Sequence, residues 1–180
     1  MAIFSLEEKI LKVNKKNFKY IQKGEGQLVL LIHGWPENCN SWLNQISFIS
    51  QLGYKAVAIN VRGYADSYSP HAIQSYKLKF FMEDIIDVIN YFNKENAILV
   101  GHDWGAPICW TTAAYYKEKI NAVIGLSVPF TRRGKISSTK LWQKLYKKRF
   151  FYQNYFQKHY IPERELEKDL YKTISKVYYW

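Results

Sequence analysis

The sequence predicts an α/β fold built on a mostly parallel, doubly wound sheet. Three observations carry this. Short β-type runs alternate with stretches of helical periodicity across residues 1–130. Several of those runs are apolar throughout, as strands buried on both faces require. The residues with chemical character fall just beyond the ends of these runs, where parallel α/β sheets bind their ligands.

The elements follow in order. Glu8–Lys15 and Phe18–Gln22 read as strands joined by a turn near Asn14–Asn17, and Gly24 and Gly26 mark the next turn. Gln27–Ile32 is a continuous apolar strand. Ser41–Leu52 is helical, with Trp42, Ile46 and Ile49 on one face and Gly53 as its stop. Tyr54–Val61 is a second buried strand. Leu78, Phe81, Met82, Ile85, Ile89 and Phe92 repeat at helix spacing, so Lys77–Phe92 is a helix. Ala97–Val100 is a third buried strand, Trp104–Lys117 the helix after it, and Asn121–Ser127 a fourth buried strand. Such alternation implies right-handed crossovers between parallel strands.

Composition changes at Thr131. Of the net charge of +11, residues 1–130 contribute +2 and residues 131–180 contribute +9. We place a domain boundary there: 1–130 as the sheet domain and 131–180 as an appended helical segment. Leu141–Lys158 is an aromatic and basic helical stretch, Pro162 suits a helix's first turn, and Leu166, Leu170, Ile174 and Val177 repeat at helix spacing. Lys147, Lys148 and Arg149 read as a solvated face, and nothing in the spacing matches a nucleic-acid-binding signature. The longest apolar run, Leu28–Ile32, is too short to cross a membrane, and Met1–Lys9 has no secretory pattern. Cys39 and Cys109 have no metal or redox spacing and read as reduced core residues, which points to the cytoplasm. No cofactor is implied.

The strongest motif is Gly101-His102-Asp103-Trp104-Gly105-Ala106, between a buried strand and a helix. That is the setting of a nucleophile elbow, whose centre is usually serine. The turn holds its central residue in an unfavourable backbone region, and glycines at 101 and 105 let strand and helix approach closely. Here the centre is Asp103. A carboxylate displaces well at a tetrahedral carbon, forming its own alkyl ester, which water must then attack at the carboxyl carbon. Oxyanion donors are needed at that second step. The chemistry suits epoxides and alkyl halides rather than peptides or ordinary esters. The second motif, His33-Gly34-Trp35-Pro36-Glu37, follows the first buried strand. The backbone N–H groups of Trp35 and Trp104 are the candidate oxyanion donors, and Pro36 sets the turn, where a cis bond is accessible.

With Asn60–Tyr64 and the Ser127-Val128-Pro129-Phe130 stretch, these motifs resemble soluble epoxide hydrolases of the α/β-hydrolase superfamily, in the same order, over residues 28–130. The resemblance extends to Tyr152-Gln153-Asn154-Tyr155-Phe156-Gln157, which matches a segment of that family's helical cap (lid). It implies a small apolar epoxide as substrate, and Tyr152 as a hydrogen-bond donor to the epoxide oxygen. By spacing alone, Phe151, Tyr152, Tyr155 and Phe156 form a stripe that is more often core than catalysis, and only the resemblance gives Tyr152 its role. The family's second cap tyrosine, catalytic acid and catalytic histidine lie further along the chain than Trp180, as do the remaining strands of its sheet. A partial sequence, inactive by itself, is therefore expected. His33 and His102 read as structural, His71 and His159 as exposed, Asp66 as a turn cap and Glu37 as a loop hydrogen-bond partner.

Two other functions stay in view. A haloalkane dehalogenase shares the aspartate and the following tryptophan, but often places Asn or Glu where Trp35 stands. A fluoroacetate-type dehalogenase would carry arginine at position 104. A non-enzymatic binding protein on the same fold is the alternative of another class.

Overall fold

The computed structural model describes residues 6–132 and 134–179. Part of the Met1–Lys9 stretch, and Trp180, lie outside them. The chain divides into two compact units, Met1–Phe130 and Thr131–Trp180.

The first unit holds six strands: β1 (Lys9–Val13), β2 (Lys16–Lys23), β3 (Gln27–Ile32), β4 (Tyr54–Ile59), β5 (Ala97–His102) and β6 (Ile120–Leu126). Their order in the sheet is β1-β2-β4-β3-β5-β6. β1 and β2 pair antiparallel, and so do β2 and β4, whereas β4, β3, β5 and β6 run parallel. Three helices connect them: α1 (Leu43–Gln51), α2 (Leu78–Tyr91) and α3 (Gly105–Tyr115).

The pleat explains why the central strands are apolar throughout. Leu28, Leu30 and Ile32 of β3 join a core with Ile85, Val88 and Ile89 of α2 and Ile108 and Cys109 of α3. Val29 and Leu31, pointing the other way, join Trp42 and Ile46 at the start of α1. Each face thus buries alternate residues of one strand. Both cysteines are buried and free.

The second unit contains α4 (Ser138–Leu145), α5 (Tyr152–Tyr155), α6 (Ile161–Glu167) and α7 (Leu170–Tyr178). Ser137 caps α4 and Asp169 caps α7.

Three expectations need correction. Leu141–Lys158 is not one helix: α4 ends at Leu145, and the rings of Tyr146 and Phe151 stack 4.4 Å apart, folding the intervening cations into a turn. The Leu166–Val177 repeat spans two helices, because Asp169 caps α7 afresh. β6 is not buried on both faces, since it lies at the edge of the sheet and Ile124 is 51% exposed. No helix among the described residues is long and apolar enough to cross a membrane.

Candidate active site

The parallel register brings the strand ends level. Ile32 of β3 pairs with Ile59 and with Gly101, and His102 pairs with Leu126. The residues that follow β3, β4, β5 and β6 therefore gather along one edge of the sheet, where parallel α/β sheets bind their ligands.

Asp103 is the turn between β5 and α3. Its φ of +50° lies in the left-handed region, a conformation costing about 1–3 kcal/mol for a non-glycine residue. The turn is pinned on both sides: the Asp103 N–H donates to the Leu126 carbonyl at 3.3 Å, and the Ala106 N–H donates to the Asp103 carbonyl at 3.1 Å. A side chain at Gly101 would strike the backbone of Gly105, and one at Gly105 would strike the carbonyl of Ile32. These two glycines are what let the helix start directly above the strand ends.

The second motif meets the first here. The backbone N–H of Trp35 donates to Asp103 Oδ1 at 3.0 Å, across 68 residues of sequence. Asp103 Oδ2 has no hydrogen bond among the described residues. A Cβ on Gly34 would overlap the Asp103 carboxylate, so only glycine lets the loop pass so close. The Trp35–Pro36 bond is cis. Trp104 is the N-cap residue of α3 and is 55% exposed, and its backbone N–H has no partner among the described residues.

The neighbouring histidines are spent on local contacts. His33 is fully buried, with Nδ1 2.8 Å from the Gly34 carbonyl and Nε2 accepting from the Val61 N–H at 3.1 Å. Burial holds its imidazole below the ordinary range. His102 Nδ1 lies 3.1 Å from Glu37 Oε2. His71 and His159 are exposed. Asp66 has a φ of +58° in its turn and bridges to Lys19 at 2.7 Å. In the second unit, Tyr152 opens α5, 39% exposed, and its hydroxyl accepts from Gln153 Nε2 at 3.1 Å.

Sequence reasoning left two features of the Asn60–Tyr64 stretch without a role. Tyr64 packs edge-on to His33 at 4.6 Å, and burial together with the Asp103 charge pushes its phenol up to about 12. Arg62 is buried and makes a two-pronged pair with Asp84 at 2.6 and 2.7 Å. The signal for both was the quoted motif itself. Among the described residues no group of three or more His, Cys, Asp or Glu could hold a metal.

Comparison with known proteins settles the family. A model described as "alpha/beta hydrolase fold" matches residues 27–171. The chain belongs to the α/β-hydrolase fold family. Within it, the chain is 32% identical over 172 residues to Epoxide hydrolase A of Mycobacterium tuberculosis, covering 94% of this chain and 53% of that relative. The crystal structure of Epoxide Hydrolase A from Mycobacterium thermoresistibile superposes with a TM-score of 0.92 at 33% identity, over 97% of this chain and 56% of that one. An epoxide hydrolase of Vigna radiata gives 0.90 at 34% identity, over 98% and 55%. This α/β-hydrolase chain thus spans about half the length of these relatives.

Proposed function

We propose that Asp103 is the nucleophile of an epoxide-opening reaction that runs through an alkyl ester of its own carboxylate. The observation that carries this is the Trp35 N–H on Asp103 Oδ1 at a positive-φ elbow. One oxygen is held by the amide and the other is left for in-line attack. Oδ2 attacks an epoxide carbon, the carbon–oxygen bond of the ring breaks, and the oxygen leaves as an alkoxide that takes a proton. Tyr152, matched by resemblance to the cap segment, is the proton donor in this reading, with residues 131–179 as part of a lid. Water then adds to the Asp103 carboxyl carbon. The charge that develops on Oδ1 is already aimed at the Trp35 N–H, and the Trp104 N–H at the head of α3 is the second donor. Cleavage of the ester releases a diol and restores Asp103.

The relatives named epoxide hydrolases support an epoxide as substrate. Water activation needs a base. Both ring nitrogens of His33 are engaged, with Gly34 and Val61, and His102 Nδ1 is held by Glu37; in this reading neither is the base. In this reading the 180-residue chain alone opens the epoxide and stops at the ester.

The test is a single-addition labelling experiment. The chain is incubated with styrene oxide, its intact mass measured and the modified peptide mapped. One epoxide mass on the peptide containing Asp103 is expected, abolished in Asp103→Asn. Tyr152→Phe should slow it by about a hundred-fold, the usual worth of general-acid help. Labelling at another residue, or labelling that persists in a folded Asp103→Asn chain, sinks the assignment. Stoichiometric halide release from a haloalkane, with no reaction of the epoxide, would move the reading to a dehalogenase.

A further inference from the structure

The Gly34–Trp35 peptide unit is held from both ends. Its N–H is the one that donates to Asp103 Oδ1. Its C=O, the Gly34 carbonyl, takes two contacts: the Glu37 N–H at 3.0 Å and His33 Nδ1 at 2.8 Å. The tautomer of His33 follows from its partners. The Val61 N–H can only donate, so Nε2 must be the unprotonated acceptor. The ring proton therefore sits on Nδ1 and is given to the Gly34 carbonyl.

We propose that His33 is a positioning residue: through its Nδ1–H on the Gly34 carbonyl it fixes and polarises the peptide whose N–H faces the Asp103 carboxylate. Its bearing on the reaction rests on Asp103 being the reacting carboxylate. Two donors on the carbonyl oxygen define the plane of the amide and so the direction of its N–H. They also draw electron density toward that oxygen, which makes the N–H a stronger donor, as in any hydrogen-bonded chain. His33 is itself immobile. It is fully buried, Tyr64 packs against its ring at 4.6 Å, and the backbone of β4's following loop holds Nε2. That loop is anchored in turn by the Arg62–Asp84 pair. The path runs from a buried ion pair, through a loop backbone and one imidazole, to the amide at the reacting group.

A merely space-filling histidine and a positioning one respond differently to two substitutions. In His33→Asn the side-chain amide nitrogen occupies the place of Nδ1 and keeps a donor on Gly34. In His33→Gln the side-chain oxygen occupies the place of Nε2 and keeps an acceptor for Val61, but Gly34 loses its donor. The experiment is NMR on the isotope-labelled 180-residue chain, reading the His33 tautomer, the Trp35 amide proton and the titration of the Asp103 carboxyl. The native chain should show the Nδ1–H tautomer, and its Trp35 amide should shift as Asp103 titrates. His33→Asn should keep the native amide position. His33→Gln should move it upfield, because the hydrogen bond it donates to Asp103 weakens. An Nε2–H tautomer in the native chain overturns the proposal, and so does a Trp35 amide indifferent to Asp103. These two readings decide it even if neither variant folds. Equal effects of Asn and Gln in folded chains also overturn it. Epoxide labelling is a separate measurement: a chain whose Trp35 amide follows His33 as described, yet takes no epoxide at Asp103, keeps this inference and loses the nucleophile.

Discussion

At Asp103 the backbone conformation and the proposed chemistry are one feature. A left-handed φ on an ordinary residue is tolerated because the turn's hydrogen bonds to Leu126 and Ala106 over-determine it. Asparagine is tolerated in that region too, so Asp103→Asn isolates the charge from the fold. Gly34 offers a sharper probe of geometry. A methyl group there overlaps the Asp103 carboxylate, and displacing a reacting group by about 1 Å costs on the order of a hundred-fold in rate. Gly34→Ala should therefore slow epoxide labelling by about that factor, and an unchanged labelling rate would show that the carboxylate is not used where it stands. His33 predicts a pH effect. Its folded pKa lies below the ordinary value of about 6.5 because burial disfavours the imidazolium. The unfolded chain then binds the extra proton first, so this group's contribution is full above about pH 6.5 and declines as pH falls below it. Urea midpoints at pH 7.5 and pH 5.5 should differ more for the native chain than for His33→Asn; equal differences would remove the claim. The elbow was legible in the sequence because glycine, glycine and a central carboxylate at a strand-to-helix junction have a local geometric meaning. The contacts of His33 were not, since its partner Val61 lies 28 residues away and is brought near only by the β3–β4 pairing.

Among the elements, the buried charges of the first unit join three of them. Arg62, just after β4, pairs with Asp84 of α2, and its remaining donors reach the carbonyls of Ser75 and Phe80. Lys16, at the start of β2, bridges Asp84 and Asp87, each at 2.6 Å. Burial alone would lower the Lys16 pKa, but the two carboxylates outweigh it and hold the ammonium above its usual range. Removing one partner of such a pair leaves a buried charge without compensation, which costs about 3–5 kcal/mol, whereas replacing the pair with apolar residues is often neutral. Asp84→Ala should thus destabilise the chain by that amount in urea unfolding. Arg62→Met with Asp84→Leu should recover most of it, and a double variant as unstable as the single would show that the packing around Arg62, not its charge, matters. The strands of this unit were legible because alternation and apolar runs are local signals. The helices of the second unit were legible in kind but not in extent: the Tyr146–Phe151 stack and the Asp169 cap break runs that periodicity alone reads as continuous.

For the whole molecule, the unresolved tension lies at β6. Its sequence, Ile120-Asn121-Ala122-Val123-Ile124-Gly125-Leu126, is that of an interior strand, yet among the described residues it pairs with β5 alone. Ile124 and Leu126 are 51% and 42% exposed. An apolar edge with unpaired N–H and C=O groups is a template for further strands. The other edge differs, because β1 carries Lys9 and Lys12 and is the short partner of an antiparallel pair. The charge of +11 opposes association only weakly here, since residues 1–130, which contain β6, carry just +2 of it. Added salt screens what repulsion there is. The isolated 180-residue chain should therefore self-associate, and more strongly at high salt. In sedimentation velocity, Ile124→Lys should shift the population toward monomer, because a charge on an edge strand is among the commonest devices against such pairing. The same charge on α1, Phe48→Lys, replaces a residue 63% exposed and provides the control. If Phe48→Lys disperses the chain as well as Ile124→Lys does, net charge is responsible. If neither does, association runs through another surface. A monomer at every concentration and salt would mean that β6 is covered in solution.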